Sequence, residues 1–135
     1  MIFDKSGALL IIGDPRGTID IYELKHFKVI QQFRAHTGGL LGMRLLSFQD
    51  KFNIYTYGRD RGILVYDIKQ GEAIAKFEKD AISFNAMAVD EEGRLLVASG
   101  FDGNIHIWSP DTSKYLGSIS TAERVRSFKH RQLHA

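Results

Sequence analysis

The chain of 135 residues has no cysteine, only two prolines and nearly balanced charge. Without cysteine it forms no disulfide, no thiolate metal site and no cysteine nucleophile. Eighteen lysines and arginines against sixteen aspartates and glutamates leave a net charge of +2, too even to indicate a nucleic-acid or membrane binder. No apolar run approaches the roughly 18 residues that span a bilayer, and the amino terminus shows no signal-peptide pattern. These absences predict an intracellular protein, cytoplasmic or nuclear.

What the sequence does contain is an internal repeat. Three six-residue segments align without gaps and end on Tyr22, Tyr66 and Trp108, which are spaced 44 and 42 residues apart. Eleven residues beyond each of these aromatics stands an apolar residue: Phe33, Phe77 and Ile119. Because two independent sets of positions agree on one period, the chain consists of three related units.

Each unit has the pattern of four short strands. Ile105 and Ile107 alternate with the polar His106, and Gly100 to Gly103 forms a turn signal before them. Four-stranded units at a period of about 40–45 residues are typical of propeller blades. We therefore predict an all-β fold, a partial β-propeller of three four-stranded antiparallel blades at about residues 1–34, 40–78 and 82–121. Residues 122–135 are expected to form the first strand of a further blade and a tail.

These units resemble the WD-repeat β-propeller family. Tyr66-Asp67 and Trp108-Ser109 stand where that family has Trp-Asp, and Ala35-His36 stands where it has Gly-His. The resemblance covers nearly the whole chain and is specific for the fold, but it does not single out one member of the family.

The resemblance also implies a structural hydrogen-bond network inside each blade, built from a histidine, a serine or threonine, a turn aspartate and the tryptophan. The positions in this sequence that match it are His36, Asp60, Ser99, Asp102 and Trp108. No blade has the full set, since the second has a tyrosine at the hydroxyl position, Tyr57, and the third lacks the histidine. We therefore expect blades of modest individual stability.

Three blades are fewer than the about 4–8 of closed propellers. The chain also begins inside the expected innermost strand of the first blade and stops after the expected innermost strand of a further blade. The chain is therefore expected to be a piece of a longer propeller or, less favoured, to assemble with copies of itself so that the last strand of one chain completes the first blade of the next.

Catalytic motifs are missing from the sequence. It has no Gly-x-Ser-x-Gly, no phosphate-binding glycine-rich loop and no His-Glu-x-x-His. The five histidines are scattered without metal-ligand spacing, and His36 and His106 are predicted to be structural. We predict no catalytic residue, no metal and no cofactor, and therefore no enzyme.

The candidate partner-binding residues lie at a recurring turn. The residue before the turn aspartate is Arg59 in the second unit and Phe101 in the third, and Pro15 holds the matching position in the first. The resemblance implies that this turn opens on the narrow face where partners dock, and Arg34 is expected on the same face. Arginine and aromatic residues are also enriched in interface hot spots. We predict a non-catalytic scaffold that presents a rigid face on which other proteins assemble.

An alternative lies in the basic carboxy-terminal segment. Arg124, Arg126, Lys129 and Arg131 stand there against the single acidic residue Glu123. Such a segment could contact nucleic acid or anionic lipid, although a plain strand and tail is the favoured interpretation.

Overall fold

The computed structural model of the chain describes residues 1–120. These residues form twelve strands and no helix. The strands make three antiparallel sheets of four, and within each sheet the strands are neighbours in chain order. The predicted all-β architecture of three four-stranded blades is thereby confirmed. Across residues 1–120, no helix has the length and apolar character needed to cross a membrane.

The strands divide evenly among the blades. The first blade contains β1 (Ile2–Phe3), β2 (Leu9–Gly13), β3 (Thr18–Glu23) and β4 (Lys28–Arg34). The second contains β5 (Leu40–Phe48), β6 (Lys51–Gly58), β7 (Ile63–Asp67) and β8 (Glu72–Phe77). The third contains β9 (Phe84–Val89), β10 (Leu96–Gly100), β11 (Asn104–Ser109) and β12 (Lys114–Ser120). The expected further strand and the basic segment at 122–135 lie outside the described residues.

The alternating apolar residues of each blade pack against the next blade. In the first blade, Ile19 and Ile21 are completely buried and join a core with Ile54 of the second blade. Phe33 of β4 stacks on Tyr66 of β7 with 3.7 Å between ring centroids and 5° between ring planes. Neighbouring blades are thus joined by apolar burial and ring contact rather than by shared strands.

A second core joins the second and third blades. Tyr55, Val65 and Phe77 of the second blade pack in it with Phe84 and Trp108 of the third. Because the second blade is covered on both faces, it contributes to both cores and is the most enclosed part of the structure.

The connections fall at two opposite ends of the blades. The turns β2–β3, β6–β7 and β10–β11 lie at one end with the loops that link the blades, and we call this the Phe101 end. The remaining hairpin turns lie at the other end, which we call the Asp67 end. Gly17, in the first turn of the Phe101 end, has a φ of 89°. A Cβ there would also collide with the His36 carbonyl, so both conformation and space require glycine.

Candidate docking face at the Phe101 end

The turn at residues 100–103 presents an aromatic ring to solvent. Phe101 is 69% exposed, although its backbone N–H donates a 3.0 Å hydrogen bond to the Ser83 carbonyl. The neighbouring Asp102 accepts a hydrogen bond from the Asn104 N–H at 3.1 Å. The ring is therefore exposed on a fixed backbone.

Phe101 lines a cleft between the second and third blades, with a volume of about 520 Å³. Leu41 and Ile82 supply further apolar lining, and Arg59 adds a cation. Leu41 is itself 42% exposed. We call these four residues the Phe101 cleft. Exposed apolar side chains beside an arginine are the composition of a protein-binding patch.

Arg59 and Pro15 lie on either side of the loop that links the first two blades. A Cβ built on Gly39 would be 3.0 Å from the Pro15 carbonyl oxygen and 3.4 Å from Arg59 Nε. Both residues are exposed, and Arg59 forms no ion pair within residues 1–120. The expected turn positions of all three blades therefore lie at one end of the structure.

Arg34 has a different role at this end. Its Nε donates to the His36 carbonyl at 3.2 Å, and its Nη2 donates to the Thr37 carbonyl at 3.3 Å. The guanidinium thus holds the loop between the first and second blades, which leaves fewer donors for a partner.

A buried network fixes the same loop from the other side. His36 Nδ1–H donates to Asp60 Oδ1 at 2.7 Å, and His36 Nε2 is hydrogen-bonded to Thr56 Oγ1 at 2.8 Å. The sequence predicts Tyr57 at the hydroxyl position of this network, but the structure shows Thr56 there instead. Successive strand residues point to opposite faces of a sheet, and only Thr56 points to the side where His36 lies.

The charge of Asp60 is stabilised by this network. Burial alone would raise the pKa of Asp60, but the backbone N–H of Thr37 and the nearby His36 together lower it below its ordinary value. Thr37 N donates to Asp60 Oδ2 at 2.7 Å. A carboxylate that accepts such bonds keeps its negative charge in the folded protein.

The third blade builds its network from another histidine. His106, on β11, donates from Nε2–H to Asp102 Oδ2 at 3.0 Å, and its Nδ1 is hydrogen-bonded to the Tyr115 hydroxyl at 2.9 Å. Ser99 makes no side-chain hydrogen bond among the described residues, so it does not join Asp102. Trp108 packs edge-on against Phe84 with 5.6 Å between centroids.

Three residues of these arrangements, Leu41, Ile82 and Tyr115, are not predicted from the sequence. Leu41 and Ile82 lie many residues along the chain from Phe101, and Tyr115 reaches His106 only through the pairing of β11 with β12. Within residues 1–120, no group of three His, Asp or Glu side chains could hold a metal ion.

Comparison with known proteins gives two matches. No family model matches the chain. The chain is 28% identical over 107 residues to the cilia- and flagella-associated protein 52 of Chlamydomonas reinhardtii, covering 78% of this chain and 17% of that protein. It resembles the crystal structure of the Cps50 (Swd1) β-propeller domain of Myceliophteria thermophila with a TM-score of 0.79 and 18% identity. That likeness covers 88% of this chain and 41% of the solved one.

Proposed function

Because this chain folds as three blades of the WD-repeat β-propeller type, we propose that it is a scaffold for protein assembly. The Phe101 end is the surface on which partner proteins dock. The observation that carries the proposal is the Phe101 cleft, where an exposed aromatic ring and an arginine stand on a hydrogen-bonded frame.

This hydrogen-bonded frame favours binding because the loops are already ordered, so little conformational entropy is lost when a partner docks. His36, Asp60 and Thr56 fix one wall of the Phe101 end, and His106 with Asp102 fixes the other. A preorganised surface avoids the entropy of loop ordering on association. The fold is of a typically non-catalytic type, so the proposed role is non-catalytic. The proposal includes an intracellular location, which agrees with the name of the algal relative. Cytoplasm or nucleus remains the expectation from the sequence.

Replacement of Phe101 tests the docking proposal. The Phe101→Asp variant buries a charge in any interface that the ring forms, so proteins captured by the wild-type chain from a lysate should be lost. For a hot-spot aromatic the expected loss of affinity is tenfold or more. Affinity capture with quantitative mass spectrometry measures it.

Phe27→Asp is the matched control. Phe27 is 82% exposed and lies in the β3–β4 turn, at the Asp67 end. This variant should retain the captured proteins, and circular dichroism should show both variants folded. If the folded Phe101→Asp variant captured the same proteins as the wild type, the result would contradict docking at Phe101.

Self-association is a further part of the proposal, through the outer face of the third blade. Ile19 and Ile63 are 0% exposed beneath the next blade, whereas Ile105 at the same repeat position is only half-buried. Ala88 and Val97 extend this apolar surface. The first blade of a second copy would cover it, because two chains of three blades supply the number found in closed propellers, about 4–8.

Sedimentation equilibrium tests the self-association. The wild-type chain should have the mass of a dimer, and Ala88→Arg should have that of a monomer because a cation would enter the apolar face. A wild-type monomer, or a dimer that Ala88→Arg leaves intact, would contradict this arrangement.

A further inference from the structure

A second cleft opens between the second and third blades at the Asp67 end. Its volume is about 300 Å³. Tyr55, Val65 and Phe77 line it with apolar surface, and Asp67 and Asp111 place carboxylates at its polar side. None of these residues lines the Phe101 cleft, so the inference goes beyond the proposed docking function and does not depend on it. We call this the Asn53 cleft, after the amide described next.

Asn53 is the buried polar residue of this cleft. It is only 6% exposed. Among the described residues, its Oδ1 is the buried side-chain atom that has no hydrogen-bond partner. A buried acceptor without a donor costs about 1–3 kcal/mol. A ligand that brings a donor to this oxygen would therefore gain from a group that the fold leaves unpaired.

The strand register places a carboxylate beside that amide. Asn53 of β6 pairs directly with Asp67 of β7 in the antiparallel ladder. Directly opposite residues share one face of a sheet, with Cβ atoms about 4.5–5.5 Å apart. Asp67 Oδ1 accepts the Gln70 N–H at 3.0 Å, and the carboxylate makes no other hydrogen bond or ion pair within residues 1–120. An amide oxygen and a carboxylate thus stand side by side.

The cleft has an excess of negative charge. Asp50, Asp67 and Asp111 line it together with one cation, Lys51. The Lys51 ammonium lies 2.8 Å from Asp111 Oδ1, so it is already paired. Burial, followed by the negative charges of Asp111 and Asp90, raises the pKa of Tyr55 to about 12. The donor that suits this cleft is therefore a cation.

We propose that the Asn53 cleft binds an arginine side chain presented by a partner protein. A guanidinium has five N–H donors in a planar fork, so it can donate to the Asn53 oxygen and to the Asp67 carboxylate at once. Tyr55 and Val65, the next pair on the same face of the sheet, would form an apolar floor beside the guanidinium. Lysine offers a single compact charge and fits the paired acceptors less well.

A titration with short peptides tests this inference. The probe is acetyl-Gly-Arg-Gly-amide, followed by ¹⁵N chemical shifts of the full chain, with the citrulline peptide as its neutral isostere. The arginine peptide should shift the Asn53 and Asp67 signals. The citrulline and lysine peptides should bind at least tenfold more weakly.

Three variants locate the binding. Asn53→Leu removes the unpaired oxygen and Asp67→Asn removes the charge but keeps an acceptor for Gln70, so each should weaken binding of the arginine peptide at least tenfold. Asp80→Asn changes an exposed carboxylate outside the cleft and should bind as the wild type does. Asn53→Leu should melt no lower than the wild type, because it removes a buried group that has no partner.

Several results would overturn the inference. These are no binding of the arginine peptide to the wild-type chain, full binding by Asn53→Leu or Asp67→Asn, and equal binding of the citrulline or lysine peptide. Free L-arginine carries a carboxylate that the aspartates repel. Equal affinity for the free amino acid would therefore overturn the assignment to a protein segment.

Discussion

Replacement of Trp108 by alanine is expected to lower the free energy of unfolding by about 3–5 kcal/mol. Trp108 is 2% exposed and lies in the core that joins the second and third blades. Its ring is 6.2 Å from that of Phe77 across the blade boundary and 5.7 Å from that of Tyr115 within its own blade. The alanine variant would leave a cavity bordered by both blades, so the packing within the third blade and the packing between the second and third blades should both weaken.

Trp108→Tyr is the matched control for this cavity. Tyrosine occupies the same repeat position in the other two blades, at Tyr22 and Tyr66. Trp108→Tyr should therefore lower the free energy of unfolding by less than half as much as Trp108→Ala does. Urea unfolding followed by circular dichroism measures both, since the single tryptophan cannot serve as a probe once it is replaced. An alanine variant within about 0.5 kcal/mol of the wild type would contradict the assigned packing.

Replacement of Asp60 by asparagine is expected to lower the free energy of unfolding by about 1.5–3 kcal/mol at neutral pH, the range for a hydrogen bond to a charged group. Asp60 accepts from His36 through one oxygen and from Thr37 through the other. Asparagine turns one of these acceptors into an NH₂ donor, which then faces another donor. His36 is 3% exposed, so water cannot readily replace the lost partner.

The same pair of proteins should show a pH-dependent difference. The pKa of Asp60 is lower in the folded protein than its ordinary value, so its stabilisation is present above the unfolded pKa of about 3.9 and is lost as the pH falls through the folded pKa. The difference in the free energy of unfolding between wild type and Asp60→Asn should therefore become smaller in acid.

Thermal or urea unfolding from about pH 7 to about pH 3 measures this gap. Asp80→Asn, which alters an exposed carboxylate, should stay within about 0.5 kcal/mol of the wild type at neutral pH. A gap for Asp60→Asn that stays constant into acid would mean that the Asp60 charge does not stabilise the fold.

The fold could be predicted because the repeat can be recognised from the spacing of equivalent residues along the chain. Tyr22, Tyr66 and Trp108 mark the same strand end in successive units, and a period of about 40–45 residues with four strands suits few architectures. The alternation of Ile19 and Ile21 likewise indicated which side chains pack, and both are buried against the second blade.

The networks were harder to predict because they depend on which face a residue takes. Tyr57 and Thr56 are adjacent in sequence but point to opposite sides of β6, and the register shift between Leu40 and Gly42 is not visible in the sequence. His106 lies four residues from Asp102, and only the turn between them brings the ring to the carboxylate.

The sequence contains only a weak indication of the Asn53 cleft. Asn53 opens the segment Asn53-Ile54-Tyr55-Thr56, whose β-propensity favours a buried strand, and a polar amide at an inward position could have been singled out. Its pairing with Asp67 required the register of β6 and β7. The absence of a hydrogen-bond partner for its oxygen is a three-dimensional fact that no sequence pattern carries.

The most direct test of the central claim is photo-crosslinking at position 101. The chain carrying p-benzoylphenylalanine in place of Phe101 is irradiated in a lysate, beside a chain carrying it in place of Phe27, which is similarly exposed at the opposite end. Docking at the Phe101 end predicts discrete protein adducts from position 101 that position 27 does not give. The same adducts from both positions, or adducts from position 27 alone, would contradict it.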